Sequence, residues 1–139
     1  MQNLIYSTSS RQLELKLQAD QIIQRTMTFL RGHNIYLISA QADVTNIGEL
    51  QWLVNHMLEQ CHRIVVLAAQ LEDNHLIVAK SPHIPHLYVD EIMDTIISAH
   101  GGSYNGNKTF AHATFYQYDL IPDIIDHAVE SIVVAMPNT

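Results

Sequence analysis

Between His100 and Thr109 the chain reads G-G-S-Y-N-G-N-K, which brings glycines together with hydroxyl, amide and ammonium donors. Gly101, Gly102 and Gly106 supply backbone whose N–H groups can turn toward an anion, and Ser103, Tyr104, Asn105, Asn107 and Lys108 supply side-chain donors. The chemistry such a set could do is to hold a phosphate or another small anion. The same residues also suit an ordinary connection, in which two glycines cap a helix and a polar turn leads into a strand. The stretch marks a candidate site without deciding what fills it.

Other reactive side chains point to less. His83 and His86 share a proline-containing loop, and His100 and His112 flank the glycine stretch, so a mixed imidazole site is sterically conceivable. No acid stands ready to orient them, and surface histidines in a chain poor in lysine explain them equally; no metal site is expected. Cys61 has His62 beside it, but neighbouring helical residues do not face one another, so Cys61 reads as a buried, inert thiol on an apolar stripe. Asp90, Glu91 and Asp94 fall in the first turns of a helix, where carboxylates complement the dipole. No residue of the chain is expected to be catalytic.

The elements that must position these groups follow from periodicity. Ser9 or Ser10 can cap a long first helix carrying Leu13, Leu17, Ile22 or Ile23, Met27 and Leu30, with Gly32 closing it. Residues 34–40 form an apolar strand, and residues 46–61 a second helix with Ile47, Leu50, Leu53, Val54, Met57, Leu58 and Cys61 on one stripe. Residues 63–69 and 75–80 read as a hairpin joined by an acidic, Asn-containing turn. After two prolines, Val89, Ile92, Met93, Ile96 and Ile97 define a third helix, residues 109–118 a further strand, and residues 121–134 a last helix with Pro122 in its first turn. The predicted fold is α/β, a single layered domain over residues 9–136 with a mixed sheet of about four strands in the order α-β-α-β-β-α-β-α, preceded by a loose segment over residues 1–8.

Composition bounds the function. A chain of 139 residues suits one domain with a real core. A formal charge of -7, from seven Lys and Arg against fourteen Asp and Glu, leaves no general basic face for a long nucleic acid. Any nucleotide ligand is expected to be short or held locally. The lone Cys61 allows no internal disulfide, and no apolar run approaches a membrane span, so a cytoplasmic location is expected.

In its whole order the chain resembles the C-terminal substrate-binding domain of DHH-type phosphoesterases, the DHH-associated domain. The likeness covers nearly everything from about Gln12 onward. It rests on V-V-L-A-A-Q-L-E-D-N-H-L-I-V-A-K-S, similar to the family's central hairpin, on V-D-E-I before the glycine stretch, and on F-A-H-A-T-F after it. The opening helix and strand look like those of the version found beside CBS and nucleotidyltransferase, or poly(A) polymerase-like, domains.

The resemblance implies a substrate-binding half that closes a glycine loop on a phosphate or nucleotide. Gly101, Gly102 and Gly106 look like the surviving glycines, and Asn107 stands about where the family has His, which removes the charge from that contact. Lys80-Ser81 stands where the family has Arg-Ser, which keeps a point charge but gives up the bidentate fork. The implied binding set is Lys80, Ser81, Gly101, Gly102, Gly106, Asn107 and Lys108, and the implied partners are a nucleotide or short oligonucleotide and a separate N-terminal catalytic domain. That domain would carry the divalent metal. This chain has no D-H-H, and Asp126-His127 is its only Asp-His pair of neighbours. The alternative is a degenerate regulatory or oligomerisation domain that has lost its ligand and forms a homodimer.

Overall fold

Apolar residues on both faces of two consecutive runs make a hairpin that is buried on both sides, and this hairpin forms the middle of the molecule. In the computed structural model, which describes residues 2–30, 32–116 and 120–136 with side chains from residue 10 onward, the order is α1 (Gln2–Thr26), β1 (Thr28–Leu30), β2 (Ile35–Gln41), α2 (Ile47–Met57), β3 (Arg63–Gln70), β4 (Asn74–Lys80), α3 (Val89–His100), β5 (Ser103–Gly106), β6 (Phe110–Phe115) and α4 (Ile121–Ala135). The strands form one mixed sheet in the order β1-β2-β3-β4-β6-β5. Only β2 and β3 run parallel.

The period of two along each strand sorts the core into halves. Ile64, Val66 and Ala68 of β3 with Leu76 and Val78 of β4 join Met93 and Ile96 of α3 and Ile124, Ala128 and Ile132 of α4. Val65, Leu67 and Ala69 with Ile77 and Ala79 point the other way, into Leu15, Ala19 and Ile22 of α1 and Leu50, Leu53, Val54 and Met57 of α2. Each fully buried aliphatic or Met side chain of this kind contributes about 1.5–3 kcal/mol. The two helical layers do not cover the sheet equally. On the α1 and α2 side, the helices lie over β2, β3 and β4, and β6 meets this layer through Phe110.

The α/β class and the central hairpin are as expected; the sheet has six strands where about four were expected. Both extra strands lie at edges. Helix α1 stops at Thr26, and Thr28–Leu30 turns back to pair with β2 through Gly32 and Asn34, both at positive φ. Gly32 thus makes a turn between strands and does not close the helix, and α1 begins ahead of the expected Ser9 or Ser10 cap. The glycine stretch contains β5, paired antiparallel with β6. Helix α2 ends at Met57, so Cys61 lies past it and is exposed, which corrects the buried reading. Residues 117–118, expected in the last strand, lie outside the described residues.

One connection within the α1 and α2 layer carries a charge. Asn46 caps α2 by accepting from the Glu49 backbone N–H at 2.9 Å, and Glu49 Oε1 accepts from Thr45 N at 2.8 Å and Thr45 Oγ1 at 2.9 Å. Arg11 of α1 then clamps Glu49 with two donors, each at 2.8 Å. The guanidinium holds the Glu49 carboxyl down at about 2, from an ordinary 4.5. A carboxyl lowered in the fold binds its proton later than in the unfolded chain, so its stabilisation is full above pH 4.5 and lost as pH falls toward 2. Acid titration of unfolding should show a falling limb in that window, flatter in Glu49→Gln. An unchanged limb would place the acid lability elsewhere.

Candidate functional site

The end of β4, the start of α3 and the tip of the β5–β6 hairpin meet at one corner. Two backbone bonds fix the meeting: Lys80 N donates to Thr109 O at 3.0 Å, and Val89 N donates to Lys108 O at 3.0 Å. The tip is shaped by Asn107, whose Oδ1 accepts from Thr109 N at 2.9 Å, Thr109 Oγ1 at 3.0 Å and Phe110 N at 3.1 Å. This is the Asx-type turn that Asn favours. It leaves the Asn107 amide nitrogen as the donor that can face outward.

The charge of the corner comes from two lysines around one ring. Tyr88, at the N-cap of α3 and 41 % exposed, has Lys80 Nζ 5.7 Å and Lys108 Nζ 5.3 Å from its ring centroid. Contacts of this kind are worth about 0.5–1 kcal/mol at the surface and more when water is excluded. Lys80 is buried, and its Nζ donates to Ile84 O at 2.7 Å and to Leu87 O. Burial lowers its pKa. Lys108 is exposed. Among the described residues, neither lysine is in an ion pair with a carboxylate.

The expected binding residues divide into groups. Lys80, Ser81, Gly106, Asn107 and Lys108 belong to this corner or its frame. Ser81 is 2 % exposed, and its Oγ accepts from Arg63 N at 3.0 Å and donates to Arg63 O, so it braces β3 against β4. Gly101 and Gly102 stand at the other end of β5, about 17–20 Å along the strand from Asn107 at about 3.4 Å of rise per residue. The sheet itself accounts for two glycines. A Cβ on Gly102, at φ +90°, would meet Thr114 O at 2.3 Å, and one on Gly106 would meet Ala111 Cα and Phe110 O, both at 2.4 Å.

Tyr88 was absent from the expected set. Its signal was an aromatic residue at a helix start following the proline loop, beside two stretches that each end in lysine. Of the carboxylates of α3, Asp94 holds β5 in place: Tyr104 Oη donates to Asp94 Oδ1 at 2.6 Å, and that bond pushes the Tyr104 hydroxyl up to about 12. The histidines pair in ways that spacing did not show. His62 with His83, His75 with His112, and His100 with His127 lie nitrogen to nitrogen at 3.1, 3.0 and 3.1 Å. Among the described residues no three His, Cys, Asp or Glu side chains converge as a metal cluster.

No family model matches the chain, and no curated protein matches it. Solved structures do. The C-Ala domain of alanyl-tRNA synthetase from Aquifex aeolicus superposes with a TM-score of 0.63 at 15 % identity over 76 % of this chain and 98 % of that one. A DHH domain protein described as a member of a family of ribosomal proteins gives 0.57 at 12 % identity over 94 % of this chain. RecJ from Thermus thermophilus, solved in complex with Mg2+, gives 0.66 at 15 % identity over 98 % of this chain. The chain spans 33 % and 20 % of these last two. The fold implied by the sequence resemblance is therefore the fold found. Among the described residues, no helix is long and apolar enough to cross a membrane.

Proposed function

We propose that the chain is the substrate-binding half of a DHH phosphoesterase-like protein, and that it recognises the phosphate of a nucleotide or short oligonucleotide at the Lys80, Tyr88, Asn107 and Lys108 corner. The observation that carries this reading is a pair of ammonium groups on one aromatic ring, with no carboxylate paired to either among the described residues, in a chain of net charge -7. An anion at this corner is attracted by both charges, and the ring, 41 % exposed, can meet a base. Lys108 and the Asn107 amide make direct contact. Lys80, held by two carbonyls, supplies fixed positive potential and sets the ring. Gly106 lets the hairpin tip close, Ser81 braces the wall, and Gly101 and Gly102 shape the far end of the strand. A separate N-terminal domain supplies the divalent metal and the chemistry, and a nucleotidyltransferase or poly(A) polymerase-like chain is the proposed parent.

Loss of one charge-assisted contact removes about 1.5–3 kcal/mol, which is about tenfold to a hundredfold in affinity. Calorimetric titration of Lys108→Ala with a mononucleotide should show that loss with the fold intact. Affinity unchanged in Lys108→Ala would remove this corner as the phosphate site.

A second reading, a regulatory or oligomerisation domain without ligand, is favoured by one feature. Ser81, Lys80 and the Asn107 oxygen are all engaged within the chain, while Leu13 and Leu17 of α1 and Val133 and Val134 of α4 are exposed. A concentration-dependent dimer in sedimentation, together with no nucleotide binding, would select it.

A further inference from the structure

We propose that His75 and His112 form a binding site for a borderline divalent transition metal, of the Zn2+, Ni2+ or Cu2+ class, on the open face of the sheet. His75 lies on β4 and His112 on β6, in register with Thr114 and Ile77 respectively, so the two imidazoles are diagonal neighbours on adjacent strands. His75 Nδ1 and His112 Nε2 are 3.0 Å apart, and the rings are tilted by 30°. Two nitrogens bound to one such ion at about 2.0–2.1 Å lie slightly farther apart than this, so a small opening of the pair admits the ion. Both rings are half-buried, so each keeps a solvent-facing edge while its strand fixes its position.

The site is open because α1 and α2 lie over β2, β3 and β4, and the layer meets β6 through Phe110 at its start. His75 shares its parity along β4 with Ile77 and Ala79, which face the α1 and α2 layer, and His112 shares its parity along β6 with Phe110, which packs on that layer. Asn105 of β5 is in register opposite His112 and exposed, so its amide oxygen and water are the donors at hand for the remaining positions. Of the three histidine pairs, this one alone lies on two hydrogen-bonded strands. His62 and His83 are loop residues, and His100 and His127 join two helices. A donor set of two imidazoles selects borderline metals over Mg2+, Mn2+ or Ca2+, which prefer oxygen. A bound ion would tie β4 to β6.

Paramagnetic broadening by Ni2+ or Cu2+ in the amide spectrum of the full chain tests the assignment without a variant. At low metal ratios, loss of signal should centre on residues 75–77, 105 and 112–114. Zn2+ titrated calorimetrically should saturate at one site, its affinity should fall at least about tenfold in His112→Ser, and the affinity should be retained in His62→Asn and His100→Asn. Broadening centred on either other pair, no saturable Zn2+ binding at millimolar metal, or undiminished binding in a folded His75→Asn, His112→Ser variant would each overturn it.

Discussion

Gly102→Ala should lower the unfolding free energy by about 3 kcal/mol and release β5 from the sheet edge. The cost has two parts. At φ +90° an L side chain is strained whatever its surroundings, and the new Cβ would lie 2.3 Å from Thr114 O, a backbone atom that cannot rotate away. Relief requires β5 to leave β6, which breaks the Ser103 to Gly106 pairing and the Tyr104–Asp94 bond. β4 and β6 would keep their own pairing and the core beneath it. Gly101→Ala is the control, because its Cβ would meet only the Tyr116 ring at 3.6 Å, leaving the conformational term of about 1 kcal/mol. Urea unfolding of both variants, with hydrogen exchange at β5, measures the difference. Equal costs would mean that the close approach at Thr114 O is not what selects glycine.

The second large effect belongs to Lys80. Lys80→Met keeps most of the aliphatic volume but leaves Ile84 O and Leu87 O without their buried donor, each at about 1–3 kcal/mol. A loss of about 3 kcal/mol in urea unfolding is expected, along with loosening of the 81–88 loop that sets Tyr88. Lys80→Arg separates charge from fit, since guanidinium retains charge but not the compact head that reaches two carbonyls. It should recover part of the ligand affinity and little of the stability. Wild-type stability in Lys80→Met would show that the two carbonyls find water, and that the lysine is free for a ligand.

How far this could be read from residues alone depends on which interactions decide each element. The central hairpin, α2, α3 and α4 were legible because apolar periodicity sets them, and the burial of Val65, Val66, Ile77, Met93 and Ile96 is what that pattern selects. The edges were not. Met27 and Leu30 continue the helical spacing of α1, so the spacing hid a strand whose evidence is the pairing of Phe29 with Tyr36. Gly102 and Gly106 signal a loop in sequence, yet their lack of a side chain is what lets β5 approach β6. Cys61 continued the stripe of α2 one turn past the real end of the helix.

The site was legible in its lysines and in the hairpin tip. Its geometry was not, because Tyr88 joins Lys80 and Lys108 only after three elements converge. The histidine pairs span 21, 37 and 27 positions, beyond any local spacing rule.

The most direct test of the phosphate corner is an amide and side-chain shift map of the full chain, titrated with a mononucleotide and then a short oligoribonucleotide. The account predicts saturable shifts concentrated on Tyr88, Gly106, Asn107, Lys108 and the Lys80 amide, with smaller changes at Gly101 and Gly102. Shifts centred on another face, or none at millimolar ligand, would contradict it.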